Sequence, residues 1–138
     1  MLSKKTRYAL VALVRLTKEY GKGPVLIADI AKDQVIPQKF LESILLDLKK
    51  MGILGSKSGK SGGYYLIKDP QSVDILSVIR TMDGPVALVP CVSEKYYQSC
   101  EFCKEEDKCG LRNIFKDIRD YTYQKLKDTS LIDIMDVE

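Results

Sequence analysis

Residues 35–70 read VIPQKFLESILLDLKKMGILGSKSGKSGGYYLIKDP, and this stretch decides the fold. From Pro37 to Gly52, apolar residues recur at three- and four-residue steps, which predicts a helix with the proline in its first turn. The β-rich runs at 53–54 and 64–67 then flank a glycine-rich basic loop. This pattern predicts a hairpin directly after the helix, in the place of a wing.

Two further helices are predicted before this stretch. Thr6 can cap a first helix that runs to about Tyr20, where glycines end it. Residues 27–33 form a second, short helix whose apolar positions share one face. Only the few residues around Ile36 separate it from the helix at Pro37, so the pair has the dimensions of a helix-turn-helix.

The residues after the hairpin predict one more short helix and a loop. Ser72 or Asp74 can cap a fourth helix that runs to about Met82 and ends before Gly84. Residues 84–110 then lose all periodicity and contain all four cysteines of the chain. A loop of that length is either disordered or carries a functional site.

A long helix of about sixteen residues is predicted from Leu111. Its apolar stripe has near-heptad spacing, so it can pack on its own domain or pair with the same helix of a second copy. In so small a chain, pairing is at least an equal alternative. The predicted dimerisation residues are Leu111, Ile114, Phe115, Ile118, Thr122 and Leu126.

The net charge of +3 hides an asymmetry along the chain. Residues 1–68 carry thirteen Lys or Arg against five Asp or Glu, whereas residues 69–138 carry nine against fourteen. A basic half can be an ordinary solvated surface, but these charges cluster near the start and in the hairpin loop, where glycines let backbone approach a phosphate. The predicted DNA contacts of this kind are Lys4, Lys5, Arg7, Lys57, Ser58, Lys60, Ser61 and Gly62.

The beginning of the chain does not have the pattern of a signal peptide. The apolar run at residues 8–14 is interrupted by Arg15, and no small-residue cleavage site follows. No segment approaches the length that spans a bilayer, so we expect no membrane contact. We therefore expect a cytoplasmic protein, in which clustered cysteines more often indicate metal or redox chemistry than structural disulfides.

The four cysteines, Cys91, Cys100, Cys103 and Cys109, lie within nineteen residues. Their thiolates can reach one ion or cluster, and soft sulfur ligands favour zinc or an iron–sulfur cluster. Structural zinc sites usually pair two C-x-x-C units, and only one is present here, which lowers zinc without excluding it. A thioredoxin-like dithiol would need a βαβ context that the sequence does not predict. Unligated surface thiols are the remaining alternative.

Catalysis is disfavoured by the residue types at hand. The chain contains no histidine and offers no nucleophile with an evident base. We therefore predict that the protein is not an enzyme.

Together these features predict a mainly α fold with a small β hairpin: a winged helix-turn-helix followed by a long C-terminal dimerisation helix. Residues 1–83 would form the DNA-binding region, 84–110 the cysteine-rich cluster-binding loop, and 111–138 the dimerisation helix and C-terminal segment. With 138 residues, 45% of them hydrophobic, the chain is long enough for one core, so we expect one compact domain.

Five features carry a resemblance that spans nearly the whole chain. They are KKTRYA at 4–9, LIADIA at 26–31, IPQKFLE at 36–42, KSGKSGGYYL at 57–66, and a cysteine cluster before a long helix. In this combination the chain resembles the Rrf-two (Rrf2) family of winged-helix transcription regulators. That family includes an iron–sulfur cluster regulator, a nitric oxide sensor and a cysteine-metabolism repressor.

The resemblance implies a homodimer on double-stranded DNA. The long helices would cross, the recognition helices would enter successive major grooves, and the wings would reach the adjacent minor grooves. Glu42 would accept from a cytosine amino group, although it can also be a surface carboxylate in the first turn of a helix. The recognition-helix residues that the resemblance implies are Pro37, Gln38, Lys39, Phe40, Glu42 and Ser43.

The resemblance also bears on the ligands of the cysteine loop. Cluster-bearing members of the family use three cysteines and a fourth ligand of another kind, either a histidine at the position of Arg112 or a carboxylate at the position of Arg7. Neither ligand is available in this sequence. With Cys91, Cys103 and Cys109 matched to the family's three cysteines, Cys100 is the natural fourth ligand of a 2Fe-2S or 4Fe-4S cluster.

We therefore expect a sequence-specific DNA-binding transcription regulator, and in particular a repressor, controlled by an iron–sulfur cluster on four cysteines. Three alternatives stay open. DNA binding can be controlled by thiol redox chemistry, or by a partner enzyme as in the family's cysteine repressor. The loop can also hold structural zinc or no cofactor.

Overall fold

The computed structural model describes residues 2–94, 96–102 and 105–135. Within these ranges the chain forms six α-helices, one two-stranded antiparallel sheet and three single-turn 3-10 helices. The mainly α fold with a small hairpin is therefore confirmed. The elements are α1 Lys4–Lys18, α2 Ile27–Gln34, α3 Gln38–Lys50, β1 Leu54–Lys57, β2 Gly63–Leu66, α4 Ile75–Asp83, α5 Gly110–Lys127 and α6 Leu131–Ile134.

The start of α1 corrects one prediction. Ser3 is the cap, and its side chain accepts a hydrogen bond from the Thr6 backbone N–H at 3.1 Å. Thr6 lies inside the helix and is fully buried. Serine is the stronger capping residue, and burial of the threonine methyl group favours its place in the core. For α4, the alternative cap Asp74 is the one observed, since its carboxylate accepts from the Ser77 N–H at 2.8 Å.

The helix-turn-helix consists of α2 and α3, joined by a very short turn. Val35 ends α2 in the left-handed conformation, with a φ of 54°. Pro37 stands at the N-cap position of α3, one residue before the first turn in which the sequence placed it, and makes no side-chain capping hydrogen bond. Ile36 between them is buried and anchors the turn on the core. The left-handed residue reverses the chain in so few residues that α3 starts beside α2, as the sequence predicts.

The hairpin extends further into the predicted loop than the sequence indicates. Leu54 pairs with Leu66 and Lys57 with Gly63, so β1 includes residues that we expected in the loop. Gly55 makes this extension possible, because a Cβ atom there would lie 2.6 Å from the ring of the opposite Tyr65.

The wing is fixed to the segment between α1 and α2. The backbone N–H of Val25 donates to the Tyr64 carbonyl at 2.8 Å, and the Tyr64 N–H donates back to Val25 at 2.9 Å. Gly63, with a φ of 137°, allows this approach, because a Cβ atom there would lie 2.1 Å from the Val25 carbonyl oxygen.

The two halves of the chain share one hydrophobic core. Buried residues of α1, α3, the hairpin and α4 pack together with Leu131 of α6, which is fully buried. Backbone hydrogen bonds join the same regions: the Ile75 N–H donates to Thr129, and the Leu131 N–H donates to Val73. The short helix α6, which no sequence pattern predicted, therefore closes the chain onto its first half.

No helix within the described ranges is both long enough and apolar enough to cross a membrane.

Candidate DNA interface and cysteine cleft

The start of α3 and the wing lie on one surface. They line a cleft of about 410 Å³ together with the start of α2, and Gln38 and Lys57 both face it. No side chain in the described part of the chain caps α2, and its first residues, Ile27 and Ala28, line the same cleft. Free amide groups at a helix N-terminus bind phosphate well. The structure thus brings the predicted contact residues Gln38, Lys57 and Ser58 together with the start of α2, which the sequence did not predict as a contact.

Most of the predicted recognition-helix residues are exposed there. Phe40 differs, because it is half-buried and packs edge-to-face on Tyr8 with ring centroids 5.5 Å apart. Its observed role is to join α3 to α1. The exposed predicted residues are Pro37, Gln38, Lys39, Glu42 and Ser43.

The wing carries exposed basic and hydroxyl side chains at Lys57, Ser58, Lys60 and Ser61. Gly62 differs from the expectation of a DNA contact. It is buried, its N–H donates to the Gly59 carbonyl at 3.0 Å, and a Cβ atom there would lie 2.0 Å from the Lys57 carbonyl oxygen. The structure therefore gives Gly62 a role in shaping the loop.

The basic residues of α1 divide into two kinds. Lys4 and Arg7 are exposed, whereas Lys5 is half-buried and forms an ion pair with Asp47 of α3 at 2.6 Å. Lys5 therefore links α1 to the helix-turn-helix even where it also adds positive charge to this side of the molecule.

The cysteines lie in the segment between α4 and α5. Cys91 and Cys109 are half-buried and Cys100 is exposed, and all three are free thiols. They line one cleft of about 480 Å³, whose walls include Pro90, Phe102 and Phe115. Cys103, the remaining predicted ligand, lies outside the described residues.

These three thiols do not form a closed metal site by themselves. Within the ranges that the structure describes, no three Cys, Asp or Glu side chains converge closely enough to hold an ion. Because the predicted ligand Cys103 lies outside those ranges, the four-cysteine site stays a prediction.

Two arginines attach the cysteine segment to the neighbouring helices. Arg119 of α5 donates to the carbonyl oxygen of buried Val92 at 2.6 Å. Arg80 of α4 forms an ion pair with Glu94 at 3.6 Å and stacks 4.6 Å from the ring centroid of Tyr123. The segment beside Cys91 is therefore held on both α4 and α5.

The other side of the cleft is polar. The Cys109 side chain caps α5 and accepts from the Arg112 backbone N–H at 3.4 Å. The Tyr97 hydroxyl donates to Glu106, whose carboxylate lies 4.0 Å from Arg112 Nε. The hydrogen bond to Glu106 raises the pKa of Tyr97 above its ordinary value, so the hydroxyl stays protonated and remains the donor.

The end of α4 is joined to the start of α1. The Ser3 N–H and hydroxyl both donate to the carboxylate of Asp83, with the N–H at 3.0 Å. Partial burial alone would raise the pKa of Asp83, but the hydrogen bonds from Ser3, with Thr6 beside them, hold this pKa below its ordinary value. The ionised carboxylate therefore links the residue before Gly84, where the cysteine segment begins, to the cap of α1.

Asp83 and Arg112 were missed as contact residues by the sequence patterns. No periodicity or motif marks Asp83, because its partner is eighty residues away along the chain. In the sequence, Arg112 stands out only because the resemblance implies a histidine at its position. Its place three residues after Cys109, in the first turn of a predicted helix, was the one available signal.

The predicted dimerisation stripe on α5 divides into two faces. None of the eighteen residues of α5, all of them described, is buried within this chain. Phe115, Thr122 and Leu126 are half-buried, with Phe115 in the cysteine cleft and Leu126 against the core. An outward apolar row consists of Leu111, Ile114 and Ile118, with Tyr121, which are 66%, 56%, 44% and 74% exposed.

Comparison with known proteins places this architecture in a family. The family model Rrf2, described as an iron-dependent transcriptional regulator, matches residues 2–137. An rrf2-like HTH-type transcriptional regulator of Rhodobacter capsulatus is 39% identical, over 98% of this chain and 91% of the relative. The regulator IscR of Photorhabdus laumondii is 31% identical, over 97% of this chain and 78% of the relative.

A solved structure agrees with these sequence relatives. CymR, the global cysteine regulator of Bacillus subtilis, superposes with a TM-score of 0.83 at 28% identity, over 100% of this chain and 98% of that one. These relatives are transcription regulators rather than enzymes, which confirms the prediction that this chain is not an enzyme. With the family model matched from residue 2 to residue 137, the chain belongs to the Rrf2 family of transcriptional regulators.

Proposed function

We propose that this transcription regulator is a cytoplasmic, homodimeric repressor whose affinity for operator DNA depends on an iron–sulfur cluster held by Cys91, Cys100, Cys103 and Cys109. One observation carries the proposal: cysteines that lie up to eighteen residues apart line a single cleft beside the first turns of α5. The description of the matching family as iron-dependent supports the same proposal.

The residues of the cleft suit such a cluster. Thiolates are the usual ligands of iron–sulfur clusters, and three of the four proposed ligands already share the cleft. The solvent-shielded Arg112 Nε has no hydrogen-bond partner in the described part of the chain, so this donor is available to a sulfur of the cluster. When bound, the cluster supplies a redox-active centre with net negative charge.

The link from this cleft to the DNA-binding half runs through α4. Arg80 and Arg119 hold the segment beside Cys91, and Asp83, in the same last turn of α4 as Arg80, holds Ser3 at the start of α1. A change at Cys91 would therefore shift α4 and, with it, the basic start of α1. A coupling free energy of about 1 to 3 kcal/mol is enough to change DNA affinity about 5- to 150-fold.

We assign DNA reading to the exposed start of α3 and phosphate binding to the wing. Glu42 would accept from a cytosine amino group, and Gln38, Lys39 and Ser43 would reach bases or phosphates. Lys4, Arg7, Lys57 and Lys60 supply positive charge on the flanks. In the dimer, the outward row of α5 would cover the same row of the second copy, which would bury apolar side chains that a single chain leaves in water.

The wing lysines offer a direct test of phosphate binding. We expect the double variant Lys57→Gln/Lys60→Gln to bind all duplex sequences more weakly and to reduce the slope of log K against log salt by about 1.8, because each phosphate contact contributes about 0.9. Fluorescence anisotropy on a duplex that wild type selects from a random library measures both. Lys116→Gln/Lys125→Gln, which removes equal charge from α5, should leave the slope unchanged. An equal slope for wild type and the wing variant would rule out these contacts.

The cluster is tested by anaerobic purification of wild type, Cys100→Ala and the neighbouring control Ser99→Ala. We expect stoichiometric iron and sulfide and visible absorption between about 320 and 460 nm in wild type and the control, and loss of all three in Cys100→Ala. At matched salt, holo and apo wild type should differ in operator affinity. Iron-free wild type, or equal affinity of the two forms, would contradict the proposal.

A second candidate is thiol-based control. The three described thiols are free and share one cleft with an exposed member at Cys100, and the chain superposes on a cysteine regulator. In that case the anaerobic protein is colourless, and its DNA affinity changes with oxidation of these thiols or on addition of a partner enzyme. Structural zinc instead predicts a colourless protein that unfolds when a chelator is added.

A further inference from the structure

Arg112 occupies the first turn of α5 and faces the cysteines. Its backbone N–H already donates to the Cys109 sulfur at 3.4 Å, and its side chain lines the cleft with Cys91 and Cys100. The side chain is 23% exposed, so most of the guanidinium group is shielded from water. Among the described residues that line this cleft, Arg112 is the one cation.

The guanidinium group of Arg112 is incompletely satisfied. Its Nε is buried and has no hydrogen-bond partner among the described residues. The nearest carboxylate, Glu106, lies at 4.0 Å, beyond hydrogen-bond distance, and also accepts from Tyr97. Buried donors in folded proteins are normally paired with an acceptor, so the unpaired Nε suits a cleft whose ligand accepts a hydrogen bond there.

The chemistry of that acceptor follows from the cleft itself. Thiolate ligands and bridging sulfides are weak hydrogen-bond acceptors, and a cluster held by four thiolates is anionic. One-electron reduction adds a further negative charge to it. A fixed cation beside the cluster therefore stabilises the reduced form more than the oxidised form, and it does so strongly because the site is shielded from water.

We propose that Arg112 Nε donates to a sulfur of the cluster and that its positive charge raises the cluster's reduction potential. The proposal rests on the cluster of the proposed function. Arg112 would thus tune the reduction potential of the cluster without binding iron. A histidine at the same position could instead be a ligand. It would set how reducing the surroundings must be before the cluster, and hence DNA binding, changes state.

The test compares Arg112→Gln, Arg112→Lys and the control Lys116→Gln, which removes one charge from the exposed side of α5 a turn further on. Iron and sulfide content are measured first, and the reduction potential is then measured by anaerobic titration with dithionite and redox dyes. We expect Arg112→Gln to lower the reduced-to-oxidised ratio at a fixed potential at least tenfold, which is about 59 mV for a one-electron couple.

Arg112→Lys keeps the charge but not the planar N–H donor, so its potential should lie between those of wild type and Arg112→Gln. Lys116→Gln should match wild type. Iron loss from Arg112→Gln alone, with a folded circular dichroism spectrum, would also support direct contact with the cluster. Full iron content with an unchanged potential in Arg112→Gln would overturn the role of Arg112 and leave the cluster in place, whereas iron-free wild type would overturn both.

Discussion

Replacing Gly63 by alanine is expected to lower the free energy of unfolding by at least about 3 kcal/mol and to abolish specific DNA binding. The φ of 137° at Gly63 is one that residues with a Cβ atom rarely adopt, and the added atom would lie 2.1 Å from the Val25 carbonyl oxygen. That oxygen belongs to backbone which is itself hydrogen-bonded to Tyr64, so it cannot move aside without releasing the wing. Denaturant unfolding gives the stability, and anisotropy on selected DNA gives the affinity.

Two other glycines separate the causes of this effect. Gly59 at the wing tip has a φ of 102° but open space around it, so Gly59→Ala introduces backbone strain without a steric clash. It should lower the free energy of unfolding by about 1 to 2 kcal/mol. Gly110, at the start of α5, has ordinary backbone and open space, so Gly110→Ala should be neutral or slightly stabilising. If Gly63→Ala were no worse than Gly59→Ala, close contact with Val25 would not be what fixes the wing.

Features that depend on local sequence were the ones that could be predicted. The helix-turn-helix followed from Pro37 and the apolar spacing of α3, and the hairpin followed from β-rich runs on either side of glycines. The extent of β1 could not be predicted, because it depends on the ring of Tyr65 lying over Gly55 in the opposite strand. The cap of α1 was misplaced because Ser3 and Thr6 both have capping side chains, and only burial in the core distinguishes them.

In the candidate site, too, the features that depend on local sequence could be predicted and the contacts between distant residues could not. Four cysteines in a short segment indicate metal or redox chemistry whatever the fold. The contacts around them, through Arg80, Asp83 and Arg112, join residues that are distant in sequence or depend on how α5 is oriented. Such contacts leave no periodic pattern, so only the folded chain identifies them.

The short helix α6 leads to the second large effect. Leu131→Ala is expected to lower the free energy of unfolding by about 3 to 5 kcal/mol, because the leucine is fully buried in the core and its removal leaves a cavity beside α1 and the turn at residues 70–72. Four residues are too few for a helical pattern, which is why the sequence did not single out this position. Chemical denaturation monitored by circular dichroism measures the loss.

Ile132→Ala is the matched control. The Ile132 side chain, next to Leu131 in sequence, is 42% exposed, so its truncation should lower the free energy of unfolding by less than about 1 kcal/mol. Because Leu131 contacts the core of the DNA-binding half, we expect a single cooperative transition in both variants, with Leu131→Ala shifting the whole curve. A Leu131→Ala protein that lost only α5 and α6, while the first half kept its stability, would show that the two halves fold independently. The link between the cysteine cleft and the DNA surface would then rest on the Asp83–Ser3 hydrogen bonds without the support of a shared core.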